Sequence, residues 1–101
     1  MSSTYYSRAR FALGKVIINR NVESLVQEGS LNAQHYLDRH VNGDWGEVPP
    51  DRRRANDLGV HHRELLFSRY VLDQSSRLYV ITDGERSVTT MWLVSRIAIQ
   101  T

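Results

Sequence analysis

Two strand-like segments joined by a turn, within residues 77–94, constrain the fold of this 101-residue chain more than any other stretch. Residues 78–82 and 87–93 are rich in β-branched and aromatic side chains, which suit a pleated sheet. The turn between them contains Gly84, and glycine readily takes the positive φ that a tight hairpin turn requires. We therefore predict an antiparallel hairpin with Gly84 and Glu85 at the centre of its turn.

Side chains alternate between the two faces of a strand, so the hairpin divides its residues into two sets. With this turn, Val80 lies opposite Thr89 and Leu78 lies opposite Met91, and these four residues share one face. The other face is predicted to carry Arg77, Tyr79, Ile81, Val88, Thr90 and Trp92. Since each face has apolar residues, we expect helices to cover one face and a partner or ligand to meet the other.

One strand and several helices are predicted ahead of the hairpin. A strand over residues 13–19 precedes a helix that Asn19 or Asn21 caps and that Gly29 ends. Ser30 is expected to cap a second helix, which has the clearest amphipathic pattern in the chain. Its apolar face is predicted to contain Ala33, Tyr36, Leu37, His40 and Val41.

A third helix is predicted over residues 52–62, after a start signal at Pro49 and Pro50, and a strand follows over residues 65–72. The resulting order, β-α-α-(α)-β-β-β, predicts an α+β domain with a three- or four-stranded, mainly antiparallel sheet and helices on one face. We expect this single domain to span residues 13–94.

The two ends of the chain are predicted to lie outside that domain. Residues 1–12 are polar with scattered aromatic residues and are expected to form a loose N-terminal arm. Residues 95–101 alternate weakly and are expected to form a C-terminal tail or an edge strand.

Composition limits the compartment and the chemistry. The chain has no cysteine, which excludes disulfides and thiolate metal sites. No segment approaches the roughly 20 apolar residues of a membrane helix, and residues 1–6 lack the pattern of a signal peptide. We expect a cytoplasmic protein without membrane contact. The four histidines lack the spacing of a metal site, so we predict neither a metal nor a cofactor.

A catalytic site has only scattered candidates. His40, Ser68, Tyr70 and Arg86 could supply acid–base catalysis and phosphate stabilisation in a metal-independent ribonuclease-like site. No motif of nucleophilic catalysis surrounds the serines and threonines. An enzyme is therefore the less favoured interpretation.

The basic residues allow two explanations. Lys15 is the only lysine among the 13 basic residues, and arginine suits carboxylate or phosphate recognition; a GC-rich genome would give the same bias. Arg52, Arg53 and Arg54 stand at the start of the third helix, where the helix dipole disfavours cations. That run indicates either an anionic partner such as nucleic acid or an ordinary solvated helix face.

Several segments of the chain together resemble a family of small bacterial proteins. These segments of the chain are Leu13-Gly14-Lys15-Val16, Arg39-His40-x-x-Gly43-Asp44-Trp45-Gly46, Asn56, Ser68-x-Tyr70 and Ile81-Thr82-x-x-x-Arg86-Ser87-x-Thr89-Thr90. The family is labelled "plasmid-related protein" and occurs largely on plasmids, integrated conjugative elements and prophage regions. The resemblance covers about residues 11–94. The chain departs from the pattern at the Gly84 turn and at Tyr79, where the family usually has tryptophan.

The resemblance implies a mobile genetic element as the setting but no reaction, since the family has no established activity. Its polar residues are open to two interpretations. They could form a buried network that specifies one packing, with Trp45 over the junction of helices and sheet and Asp44 paired with Arg86. The alternative, which is less favoured, is that they line a binding or active pocket.

Three hypotheses for the function follow. The first is a non-enzymatic interaction protein that binds a host or defence protein, as anti-CRISPR and anti-restriction proteins do, through Tyr79 and Trp92 on the open face. A homodimer through that face is a further alternative. The second is a nucleic-acid-binding protein, and the third is a small metal-independent ribonuclease-like toxin. The candidate binding residues are Asp44, Trp45, Arg52, Arg53, Arg54, Tyr79, Arg86, Thr89, Thr90 and Trp92.

Overall fold

A four-stranded sheet and three helices make up residues 9–95, the part of the chain that the computed structural model describes. In chain order the elements are β1 Lys15–Ile18, α1 Arg20–Gln27, α2 Ala33–Val41, α3 Pro50–His62, β2 Leu66–Val71, β3 Ser76–Thr82 and β4 Val88–Ser95. The strand order is β1-β4-β3-β2, with β1 parallel to β4 and the other pairs antiparallel. The predicted α+β fold and element order are confirmed, and the third helix is present.

The predicted terminal segments lie largely outside this part of the chain, because residues 1–8 and 96–101 are not described. None of the helices in residues 9–95 is both long and apolar enough to cross a membrane.

Asparagine side chains cap the N-termini of the first two helices. Of the two predicted caps of α1, Asn19 takes the position, its Oδ1 accepting a hydrogen bond from the Val22 N–H at 3.0 Å. The prediction that Ser30 caps α2 is wrong, because Asn32 takes that position. Instead, the Ser30 N–H donates to the Leu25 carbonyl at 2.9 Å and so completes the end of α1.

The core lies between the helices and one face of the sheet. Its main cluster consists of Val22, Leu31, Leu37, Tyr70, Leu78, Val80 and Met91. A smaller cluster contains Trp45, Val48 and Leu66, with Phe11 and Val60 packed against it. The hairpin faces are as predicted, since Leu78, Val80 and Met91 lie on the covered side.

The hairpin turn differs from the predicted one. Val80 pairs with Met91, not with Thr89, and Gly84 does not have a positive φ; the residue that does is Arg86, at 60°. The turn is longer because the Asp83 carboxylate accepts hydrogen bonds from the backbone N–H groups after Arg86. The register thus moves by two residues, which leaves every side chain on its predicted face.

Candidate functional site

His40 lies in a row of buried hydroxyl groups between α2 and the sheet. Its Nδ1 is 2.6 Å from Ser68 Oγ, and its Nε2 is 2.9 Å from Thr82 Oγ1. The row continues from Thr82 Oγ1 to Thr89 Oγ1, 2.7 Å away, and the Thr89 hydroxyl donates to the Leu13 carbonyl at 2.7 Å. His40 and its hydroxyl partners have no exposed surface.

Counting hydrogens along this row assigns each donor. The Leu13 carbonyl can only accept, so the Thr89 hydroxyl uses its single hydrogen there and must accept from Thr82. Thr82 then accepts from the Nε2–H of His40, and Nδ1 accepts from the Ser68 hydroxyl. The row therefore fits a neutral imidazole with its hydrogen on Nε2.

The surroundings of His40 favour the same neutral form. Burial, together with the charge of Arg86, lowers the pKa of His40 to about 3. Aromatic rings exclude water from its sides: the Phe11 ring stands edge-on at 5.1 Å between centroids and the Trp45 ring at 5.6 Å. Such a histidine joins elements of the fold through hydrogen bonds and stays uncharged near neutral pH.

Arg86 joins three separate parts of the chain through backbone carbonyls. Its guanidinium donates to the carbonyls of Gly59, Glu64 and Asp83, each at 2.8 Å. These come from α3, from the segment before β2 and from the hairpin turn. Its Cζ also lies 5.4 Å from the centroid of the Phe11 ring. Burial lowers the pKa of Arg86, and the nearby charge of Arg63 lowers it further.

The expected pairing of Arg86 with Asp44 is wrong. Asp44 instead pairs with Arg39, with Nε and Oδ2 2.7 Å apart, and this hydrogen bond holds the pKa of Asp44 below its ordinary value. Arg39 also lies over the Tyr70 ring, 4.5 Å from its centroid. Proximity along the chain explains the difference, because Arg39 lies in the last turn of α2 and Asp44 lies in the loop just after that helix.

Trp45 is buried at the junction of α2, α3 and the sheet. Its Nε1–H donates to the carboxylate of Asp57 on α3 at 2.9 Å, and its ring stacks on Phe11 with centroids 6.0 Å apart. Beside it, the Tyr70 hydroxyl donates to the Asp44 carbonyl at 2.6 Å. Burial raises the pKa of Tyr70. Trp45 is thus a core residue and presents no surface to a partner.

The structure brings the proposed catalytic residues close together but encloses them. His40 and Ser68 are hydrogen-bonded, yet neither has exposed surface, and Tyr70 and Arg86 are also buried. Both ring nitrogens of His40 are already engaged, and a pKa of about 3 leaves no charged form near pH 7. In this conformation the set can stabilise packing but cannot contact a polynucleotide.

The three arginines of α3 do not form one patch. Arg52 is half-buried, whereas Arg53 and Arg54 are exposed, and consecutive residues of a helix point about 100° apart. In residues 9–95, no group of three or more His, Asp or Glu side chains could hold a metal ion. This part of the chain therefore offers no clear phosphate or metal site on α3.

The strand register defines a second surface, the open sheet face, on the side away from the core. It contains Lys15, Ile17, Phe67, Arg69, Val71, Arg77, Tyr79, Ile81, Val88, Thr90, Trp92 and Val94. Tyr79 lies between Arg69 and Trp92 in one row across the sheet. Thr89 and Thr90 fall on opposite faces, so only Thr90 of this predicted pair belongs to the open sheet face.

Several important residues were not among the predicted site residues. Phe67, on the open sheet face, stacks on Tyr79 with centroids 5.4 Å apart, and Ile17 stands exposed on the same face. The alternation within β2 carried a signal for Phe67, but the alternation alone does not say which face is covered. Phe11 was assigned to the loose N-terminal arm, because its contacts with Trp45 and Arg86 are long-range and leave no local sequence pattern.

Comparison with known proteins adds nothing to this geometry. No protein-family model matches the chain, and no match was found among curated proteins or solved structures.

Proposed function

We propose that this protein is a non-enzymatic interaction module that binds a protein partner through the open sheet face. The observation that carries the proposal is an apolar sheet face over which no described helix packs. Trp92 is 39% exposed, Ile17 is 44% exposed and Val71 is 38% exposed, all on this face. A contiguous apolar surface that is left exposed to water in this way is typical of a binding site for a partner.

The arrangement of this face resembles a protein interface. Aromatic rings occupy the centre, where Phe67 stacks on Tyr79 and Tyr79 meets Trp92 edge-on with centroids 6.4 Å apart. Arg69 on β2 and Arg77 near the start of β3 flank these rings on the same face. Buried Trp and Tyr with flanking Arg are the residues that contribute most to binding energy in protein complexes.

The proposed class of partner comes from the resemblance to plasmid-related proteins. A mobile element gains from a small protein that binds a host or defence protein, and we propose such a protein in the cytoplasm as the partner. The enclosed His40 set supports the non-enzymatic part of the proposal, because no substrate reaches its atoms in this conformation.

Replacement of Trp92 by alanine tests the proposal. We expect Trp92→Ala to retain a cooperative thermal transition and to lose capture of the partner from bacterial lysate, because it removes the largest exposed ring of the face. Leu58→Ala is the matched control, since Leu58 is 54% exposed on α3 and lies outside the open sheet face. Capture that survives Trp92→Ala, or that is lost equally with Leu58→Ala, contradicts the proposal.

A further inference from the structure

The charges of the sheet are all of one sign. Its four strands contain no aspartate or glutamate, and their three cations, Lys15, Arg69 and Arg77, all lie on the open sheet face. The eleven carboxylates of the chain belong to helices and connections instead. The open sheet face is therefore apolar at its centre and positive around it.

The two guanidinium groups are held in place without being neutralised. Arg69 Nε donates to the Glu47 carbonyl at 2.7 Å, and Arg77 Nη1 donates to the Asp73 carbonyl at 2.8 Å. Within residues 9–95, the one ion pair is Arg39 with Asp44, away from this face. A backbone carbonyl orients a guanidinium and leaves its positive charge uncompensated, so the remaining N–H donors suit a carboxylate brought by a partner.

We propose that the occupant of the open sheet face is an acidic protein segment, with carboxylates beside apolar side chains. This inference rests on the proposed function and specifies the chemistry of its partner. The apolar side chains of the segment would cover Tyr79 and Trp92, while its carboxylates would meet Arg69 and Arg77. Charge complementarity of this kind sets partner choice and the rate of association.

A second copy of the chain fits this face poorly. Two open sheet faces brought together would hold three cations from each copy in one interface, with no carboxylate on either face to pair with them. Like charges across an interface cost several kcal/mol and act against association. A heterologous partner avoids this cost.

A nucleic acid also carries negative charge, but the rings of this face are poorly placed for it. Bases bind single-strand platforms by stacking on free ring faces. Phe67 and Tyr79 already stack on each other at an interplanar angle of 15°. Aliphatic side chains, among them Ile17 and Ile81, occupy much of the remaining face. They suit the side chains of a protein segment better than bases.

A random 12-residue peptide library displayed on phage is the first probe. The library is selected on the immobilised full chain after depletion on Trp92→Ala, so that only peptides needing the open sheet face remain. We expect the recovered peptides to contain about twice the Asp and Glu content of the unselected library, together with large apolar residues. One such peptide, synthesised with a fluorescent label, then serves for affinity measurements.

Two double variants test whether the cations of the open sheet face, and not cations elsewhere on the surface, contribute to peptide affinity. We expect Arg69→Gln/Arg77→Gln to weaken binding of the labelled peptide about tenfold or more, since each variant residue loses a charge-assisted hydrogen bond to a carboxylate. The control Arg53→Gln/Arg54→Gln removes the same charge from exposed positions of α3 and should retain the native affinity. Circular dichroism melting of both variants shows that a loss of binding is not a loss of folding.

The outcomes distinguish this inference from the proposed function. Peptides that need Trp92 but show no enrichment in Asp and Glu overturn the acidic partner and leave the interaction face standing. The acidic partner is likewise overturned if a labelled 20-residue oligothymidylate, or a second copy of the chain detected by light scattering, occupies the face in a Trp92-dependent way. Recovery of no Trp92-dependent peptide overturns the inference. If the native chain and Trp92→Ala also capture the same proteins from lysate, the proposed function is overturned as well.

Discussion

Burial has a strong effect on the protonation of His40. An imidazole normally titrates near neutral pH, but here burial lowers the pKa of His40 from 6.5 to about 3. Its tautomer is set by a carbonyl three hydrogen bonds away, at Leu13. Protonation of Nδ1 would reverse its hydrogen bond with Ser68, whose oxygen would then accept, so acid rearranges the row as well as burying a charge.

The stability of the protein should therefore depend on pH through His40. Between pH 6.5 and about 3, His40 binds a proton in the unfolded state and not in the folded state. The contribution of His40 to the free energy of unfolding is complete above pH 6.5. It falls as the pH is lowered, by about 1.4 kcal/mol per pH unit within that window. Urea denaturation at pH 7, 6, 5 and 4.5 measures the loss.

Two variants assign that pH dependence. His40→Gln cannot titrate, so its stability should be lower by about 1–3 kcal/mol at pH 7 but nearly constant down to pH 4.5. His35→Gln, at an exposed position of the same helix, should retain the slope. Asp44, Asp73 and Asp83 have pKa values held below their ordinary 3.8 and so act mainly at lower pH. An unchanged slope in His40→Gln contradicts the assignment.

The amphipathic pattern of α2 was sufficient to place His40 on the buried face, but its partners were not predictable. Spacing within a helix reports which face is buried. It says nothing of Ser68 and Thr82, which bond His40 from two strands far along the chain, or of Thr89, which bonds Thr82 from a third. Mid-strand threonines are also favoured by β-propensity alone, so the sequence could not separate the two causes.

At the scale of elements, Arg86 replaces the glycine that a short hairpin turn would have used. The sequence predicted the strands and their faces, because alternation survives a register change of two residues. It did not predict the turn, because Asp83 closes the turn with side-chain bonds and Arg86 takes the positive φ. Gly84 is needed for space instead: a Cβ there would lie 2.7 Å from the Arg63 carbonyl oxygen.

The three carbonyl bonds of Arg86 predict a large effect of a substitution that keeps the charge. Arg86→Lys should lower the free energy of unfolding by about 2–4 kcal/mol, because one ammonium cannot reproduce the fork that reaches Gly59, Glu64 and Asp83. Chemical denaturation monitored by tryptophan fluorescence measures this loss.

Arg63→Lys is the matched control for Arg86→Lys. Arg63 also has a positive φ, 55°, but is exposed and makes a single side-chain bond, to the Glu85 carbonyl. Its replacement should change the free energy of unfolding by less than about 0.5 kcal/mol. Equal losses in the two variants would mean that backbone conformation, and not the carbonyl bonds, determines the effect.

On the scale of the whole molecule, the two edges of the sheet differ in how far the rest of the chain covers them. The outer edge of β2 is closed, since the Asn56 side chain bonds both the N–H and the carbonyl of Phe67, and Trp45 and Glu47 bond the backbone of Arg69. At the other edge, all four residues of β1 are exposed. Asn56 was among the residues singled out from the sequence, yet its position in a helix gave no indication that it covers a strand.

Removal of the Asn56 side chain should therefore reopen an edge that the fold closes. Asn56→Ala leaves the N–H and carbonyl of Phe67 without their partner, and a buried unsatisfied group costs about 1–3 kcal/mol. An edge with free backbone groups also pairs with other chains. We expect lower stability together with self-association that increases with concentration, measured by urea denaturation and by light scattering after gel filtration.

The control for this change is Asn21→Ala, at an exposed position of α1. It should match the native chain in both measurements, since it removes the same side chain without opening the sheet. If Asn56→Ala loses stability but stays in the native association state, Trp45 and Glu47 close the β2 edge without help from Asn56. If Asn56→Ala associates, the Asn56 side chain is what closes the β2 edge in the native chain. The open sheet face and β1 then remain as the surfaces on which a partner meets this molecule.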